Sequence, residues 1–119
     1  MKRGVRPNKA QKRWHHWLAG HGCFLCRTPA EIHHCAGSSA KHNKVHVGQD
    51  FCIPLCASCH RGAEGIHGDR TVFAGHGLGE SRKEIEKTIC LTLAEKFRID
   101  VGAYPFSASV FDAIGSYRR

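Results

Sequence analysis

Residues 31–67 read EIHHCAGSSAKHNKVHVGQDFCIPLCASCHRGAEGIH, and the fold turns on how this stretch is read. Ala30 to Cys35 has the length and composition of a short strand, and it carries two adjacent histidines, His33 and His34. Neighbours on a strand point to opposite faces, so the pair cannot share one task. One can ligate a metal while the other faces a water. The Gly-, Ser-, Lys- and His-rich segment from Ala36 to Gln49 is expected to be a loop. Phe51 to Leu55 is short and apolar and is expected to pair with the first strand. Cys56 then opens a turn into a short helix through His60 and Arg61, broken by Gly62 and Gly65.

Working outward, GCFLCRTP (residues 22–29) is a tight, Gly-bounded turn holding Cys23 and Cys26, and CASCH repeats the device with Cys56 and Cys59. Two Cys-x-x-Cys pairs supply the four thiolates, each about 2.3 Å from the ion, that a closed tetrahedral structural zinc requires. A redox dithiol would explain one pair but neither the second pair nor the lack of a strand-helix-strand pattern around it. Cys35, Cys52 and Cys90 lie outside the pairs. Cys52 and Cys90 have apolar neighbours and read as packing residues.

The composition agrees with a metal staple. A chain of 119 residues with 13 glycines and 8% aromatics can bury only a modest core, and small cores usually need reinforcement. Seven cysteines are an odd number for disulfides, and the opening MKRGVRPNKAQKRW has no apolar signal core. A reducing cytoplasm is therefore expected. No run approaches the roughly 18 apolar residues of a membrane span, so no membrane partner is expected.

Formal net charge is +8 and the pI is near 9.4. Seven basic residues precede Glu31 (Lys2, Arg3, Arg6, Lys9, Lys12, Arg13 and Arg27) with no acid among them. That asymmetry predicts a polyanionic partner, nucleic acid before others, with the first six in contact with it. A solvated, solubilising tail is the alternative.

In chain order, residues 1–9 read as a basic arm that runs into a helix across KAQKRWHHWLAG, capped by Asn8. Trp14 and Trp17, three apart, are expected to pack on the core. His15, His16 and His21 show no liganding pattern and are expected at the surface, as are His42, His46 and His76, with nucleic-acid contact open to the last three. Arg70 to Phe73 reads as a short strand or turn. ESRKEIEKTICLTLAEKFR (residues 80–98) is the clearest helix, with Ile85, Ile89, Leu93 and Phe97 along one face. Residues 99–119 form an appendage with a helix capped by Ser107 or Ser109.

The order of strand with a His pair, loop, strand and helix bearing a His resembles the HNH, or ββα-metal, nucleases. The motifs EIHHCAG, IPLCASCHRG, GIHGDR and the knuckle GCFLC carry the likeness over about residues 10–98. Within that superfamily the chain is most similar to the phage recombination-enhancement, RecA-dependent (Ref-like) nucleases. The resemblance implies an α+β, zinc-stabilised ββα-metal core with flanking helices. It also implies an endonuclease that hydrolyses DNA phosphodiesters to 5′-phosphate and 3′-hydroxyl ends, phage-encoded, linked to recombination and guided by a RecA-type filament in a bacterial host cell. By the same resemblance His34 is the general base, and His33, His60 and His67 hold a catalytic Mg²⁺ or Mn²⁺. Glu64 competes with His67. The family's middle asparagine is missing at its expected place, and Asp50, the nearest polar substitute, takes its catalytic role beside His34; Asn43 lies too far back in the loop. A noncatalytic zinc-finger DNA-binding or adaptor protein is the alternative.

Overall fold

The computed structural model describes residues 6–117; of the expected basic contacts, Lys2 and Arg3 lie outside them. Helix α1 (Lys9–His21) begins where expected. Asn8 accepts from the Gln11 amide while the Gln11 side chain accepts from the Asn8 amide, a reciprocal cap. Trp14 is fully buried and stacks on Trp17 at 5.9 Å between centroids, so both tryptophans serve packing.

Two four-residue strands form the centre. β1 (Glu31–His34) pairs antiparallel with a later strand, Cys52–Leu55, in a register that sets His33 opposite Ile53 and His34 opposite Cys52. The intervening segment is not all loop. Lys41–His42 (β2) and Val45–His46 (β3) make a small hairpin, which makes Cys52–Leu55 β4. Asn43 and Lys44 turn it with φ of 52° and 66°, the doubly left-handed conformation that matches strand twist in a two-residue turn.

Cys56 caps α2 (Ala57–Arg61), and a 3-10 turn (Thr71–Phe73) stands where a short strand or turn was expected. Helix α3 (Arg82–Val101) starts with a Ser81–Glu84 capping box and runs past its expected end at Arg98, stopping at Gly102, whose φ of 100° suits glycine. Its face of Ile85, Ile89, Leu93 and Phe97 is buried, each such side chain contributing about 1.5–3 kcal/mol. The final helix α4 (Ala108–Ser116) is capped by Ser107. It places Ala113 and Ile114 in the same apolar cluster as Trp14, Phe51 and Leu93. Among the described residues, no helix is long and apolar enough to cross a membrane.

Candidate metal centres

The first centre joins the two cysteine turns. Gly22 enters the first turn at φ 83°, and a Cβ there would lie 3.0 Å from the Arg27 carbonyl, so only glycine closes it without strain. The Phe24 amide donates to the Pro54 carbonyl at 3.0 Å and docks this turn on β4, which leads directly into the second. The Sγ atoms of Cys23, Cys26, Cys56 and Cys59 all lie within 4.8 Å of one another. The Cys26 and Cys59 amides donate to the sulfurs of Cys23 and Cys56 at 3.4 and 3.5 Å. The Cys59 amide is the main reason the Cys56 thiol falls to about 7, while burial pushes Cys59 up. Four thiols this close cannot all ionise against one another unless a cation neutralises them, and the set fits zinc.

The second centre combines β1, α2 and the segment after it. His33, His60 and His67 offer one nitrogen each within a 4.8 Å group, with ring centroids 4.8–4.9 Å apart. His67 arrives because the chain folds back at Gly65. The Ile66 and His67 amides donate to the Cys59 and His60 carbonyls at 2.7 and 3.3 Å, and a Cβ on Gly65 would sit 2.5 Å from the Cys59 carbonyl. Glu64, its competitor in the sequence, is exposed and outside the group.

Carboxylates orient the rings. His33 Nε2 donates to Glu86 at 2.5 Å and His60 Nδ1 donates to Glu31 at 2.7 Å. Arg61 and His60, in that order, hold Glu31 down to about 2. Burial raises the Glu86 carboxyl, but the His33 and Lys83 bonds and the Lys83 charge outweigh it and leave it below its ordinary value. Both acids are therefore ionised acceptors. The outward nitrogens of His33 and His60 must carry the hydrogens, and the inward pair, His33 Nδ1 and His60 Nε2, face each other at 3.2 Å with lone pairs on both. Burial lowers His33, and burial followed by the neighbouring His33 charge lowers His67, which opposes a proton as the bridging cation. A divalent metal ion fits this donor set, and carboxylate-backed imidazoles are its usual support.

Glu86 was not anticipated. It is fully buried and also bonds Arg82 at 3.2 Å and Lys83 at 2.7 Å. Its signal was its place three, four and seven residues before the buried Ile89, Cys90 and Leu93, on the apolar face of α3.

His34 lies outside the histidine trio. It lines an open cleft of about 390 Å³ with Arg82, Lys83 and Tyr117, and Arg82 is close enough to the trio for its charge to lower His33 and His67. His34 Nε2 donates to Gln49 Oε1 at 2.9 Å. The side chain that His34 bonds is thus that of Gln49. The Asp50 carboxylate instead accepts from Gln11 Nε2 at 3.1 Å and its carbonyl accepts from Trp14 Nε1 at 2.9 Å, so this residue anchors α1. His15, expected at the surface, is half-buried and donates to the Gln49 carbonyl at 2.6 Å. Of the remaining basic residues, Arg6, Lys9, Lys12 and Arg13 are exposed, and the last three share α1. Comparison of the chain with protein-family models, with characterised proteins and with solved structures gave no match.

Proposed function

We propose that the protein is a metal-dependent DNA endonuclease of the HNH, ββα-metal type. The observation that carries the reading is the pair of inward-facing ring nitrogens of His33 and His60, backed by Glu86 and Glu31 and mounted on an antiparallel strand pair followed at once by a helix. A noncatalytic finger has no use for carboxylate-oriented imidazoles beside its structural zinc site.

His33, His60 and His67 would hold the catalytic ion, and three imidazoles favour a transition ion such as Mn²⁺ over Mg²⁺, which prefers oxygen ligands. Bound there, the ion supplies charge neutralisation at the scissile phosphate and its leaving oxygen. The remaining work falls to the chain itself. With Nε2–H committed to Gln49, His34 keeps its lone pair on Nδ1, the atom that takes a proton from water. Gln49 fixes the ring and its tautomer, the office expected of the family's asparagine. Arg82 and Lys83 share the single negative charge of Glu86, which leaves the cleft beside His34 net positive and able to draw in a phosphodiester backbone. Exposed Lys9, Lys12 and Arg13 extend that attraction along α1.

Plasmid nicking with Mn²⁺ or Mg²⁺ tests the reading, on naked DNA and on DNA coated with a RecA-type recombinase, the partner expected from the resemblance. His34→Ala should lose cleavage and keep Mn²⁺ binding by calorimetry, whereas His60→Ala should lose both. No cleavage by the wild type on either substrate with either ion would overturn the proposal.

A further inference from the structure

A third group of metal-ligating atoms lies outside both centres. His15, His34 and Cys52 each offer one ligand atom within 4.8 Å of the others, and all three touch Gln49. His34 bonds its side-chain oxygen, and His15 and the Cys52 thiol reach its main-chain oxygen at 2.6 and 3.4 Å. Cys52 Sγ is also 3.5 Å from His15 Nε2. The three come from α1, β1 and β4, and the cross-strand register of His34 with Cys52 brings two of them together. We propose that this group is a regulatory zinc site: His15, His34 and Cys52 bind Zn²⁺ reversibly, with a Gln49 oxygen placed as the fourth ligand, and so switch off His34.

The donor set selects the ion. Two imidazoles and a thiol suit Zn²⁺ and do not suit Mg²⁺. Binding moves the hydrogen of each imidazole to the nitrogen away from the ion, and the Cys52 S–H releases its proton to solvent as the S–Zn bond forms. One buried thiol makes a weaker site than the four-cysteine centre, because its ionisation is opposed by burial with no companion thiolate in the set. The structural site therefore fills first and this one responds to excess zinc.

The consequence for activity rests on the nuclease reading. A neutral imidazole has one lone pair. If zinc takes it, His34 has none left to accept a proton from water. Because His33 and His34 are adjacent on β1, the ion that silences the base sits on the opposite side of the strand from the histidine trio. Inhibition therefore does not require displacement of the catalytic ion.

Co²⁺ titrated into protein carrying one equivalent of zinc, which the four-cysteine centre takes first, separates the two claims. A thiolate-to-cobalt charge-transfer band reports Cys52, since the histidine trio has no sulfur. The band should appear in the wild type and be lost in both Cys52→Ala and His15→Asn, with far-UV circular dichroism confirming that each variant folds. The His15 variant leaves the buried core position intact should Cys52→Ala loosen it. In cleavage assays at saturating Mn²⁺, the zinc concentration for half-inhibition should rise at least about 10-fold in His15→Asn, the low end for losing even a group that only orients a ligand. No band in the wild type, or a band of full amplitude in both variants, would overturn the site. A band without any wild-type cleavage would uphold the site and refute the nuclease reading.

Discussion

Replacing Asp50 by Asn should stabilise the protein above neutral pH and leave cleavage intact. Asp50 is almost fully buried, and burial pushes its carboxyl up to about 6 from 3.8 against the opposing Gln11 bond. A group whose folded value is raised holds its proton more tightly in the native state. Its contribution to stability is therefore greatest below 3.8, declines as pH rises to about 6 and is constant beyond. A gap of about 2 pH units at about 1.4 kcal/mol each bounds the penalty at pH 8 at about 3 kcal/mol. The Asn amide keeps an acceptor for Gln11 but adds two donors. The adjoining cleft of about 390 Å³, lined also by Asn8, Gln11 and His46, admits water to meet them. A net gain of about 1–2 kcal/mol, or roughly 3–8 °C in Tm, is expected at pH 8. Thermal melts of variant and wild type from pH 5 to 8.5, with zinc present, should show the gap widening up to about pH 6–7 and flat above. No gain at pH 8 would refute the burial argument, and loss of cleavage would return Asp50 to the catalytic role that the family pattern assigned it.

Glu86→Gln should weaken Mn²⁺ binding about 10- to 100-fold in calorimetry, because an amide can no longer oblige His33 Nε2 to carry the hydrogen; unchanged affinity would free His33 from this control. Cys56→Ser should lower zinc content by one equivalent and diminish far-UV dichroism, since metal binding and folding are coupled in so small a domain; full zinc content by metal analysis would place the ion elsewhere. Neutralising Lys9, Lys12 and Arg13 together as Gln should reduce the slope of log affinity against log salt by about 2–3 on duplex DNA, measured by fluorescence anisotropy, and an unchanged slope would leave α1 with a packing role only.

The parts legible in the sequence are those whose signals are local. Each Cys-x-x-Cys carries two ligands in one turn, so the four-cysteine centre needed only that two turns meet. The α3 face announced itself every fourth residue from Ile85 to Phe97. Glu86 lay on that same face, but a periodicity argument counts apolar residues and passes over a carboxylate among them. Gln49 and His15 were hidden for another reason. Their contacts span 15 and 34 residues and arise in a turn with no periodicity, where Gln49 and Asp50 reach different partners. The β2–β3 hairpin was missed because Asn43-Lys44 lacks the glycine that usually marks such a turn.

The four-cysteine centre and the histidine group are mechanically one object. Helix α2 has five residues, far below the length at which a helix persists unaided in water, and its surroundings must impose its shape. Cys56 caps it and Cys59 lies at its middle, so an ion shared with Cys23 and Cys26 would clamp its first turn to the turn docked on β4. His60 is the next residue after Cys59, and the amides that bring back Ile66 and His67 bond the carbonyls of Cys59 and His60. Two of the three imidazoles therefore take their positions from the helix that the cysteines hold. His33 alone is placed independently, by β1 and Glu86. Weakening the cysteine centre should then scatter His60 and His67 before the apolar core of Trp14, Phe51 and Leu93 gives way. A protein this small would gain a rigid set of metal ligands by building it on the same turn that an ion at the four cysteines would hold in place.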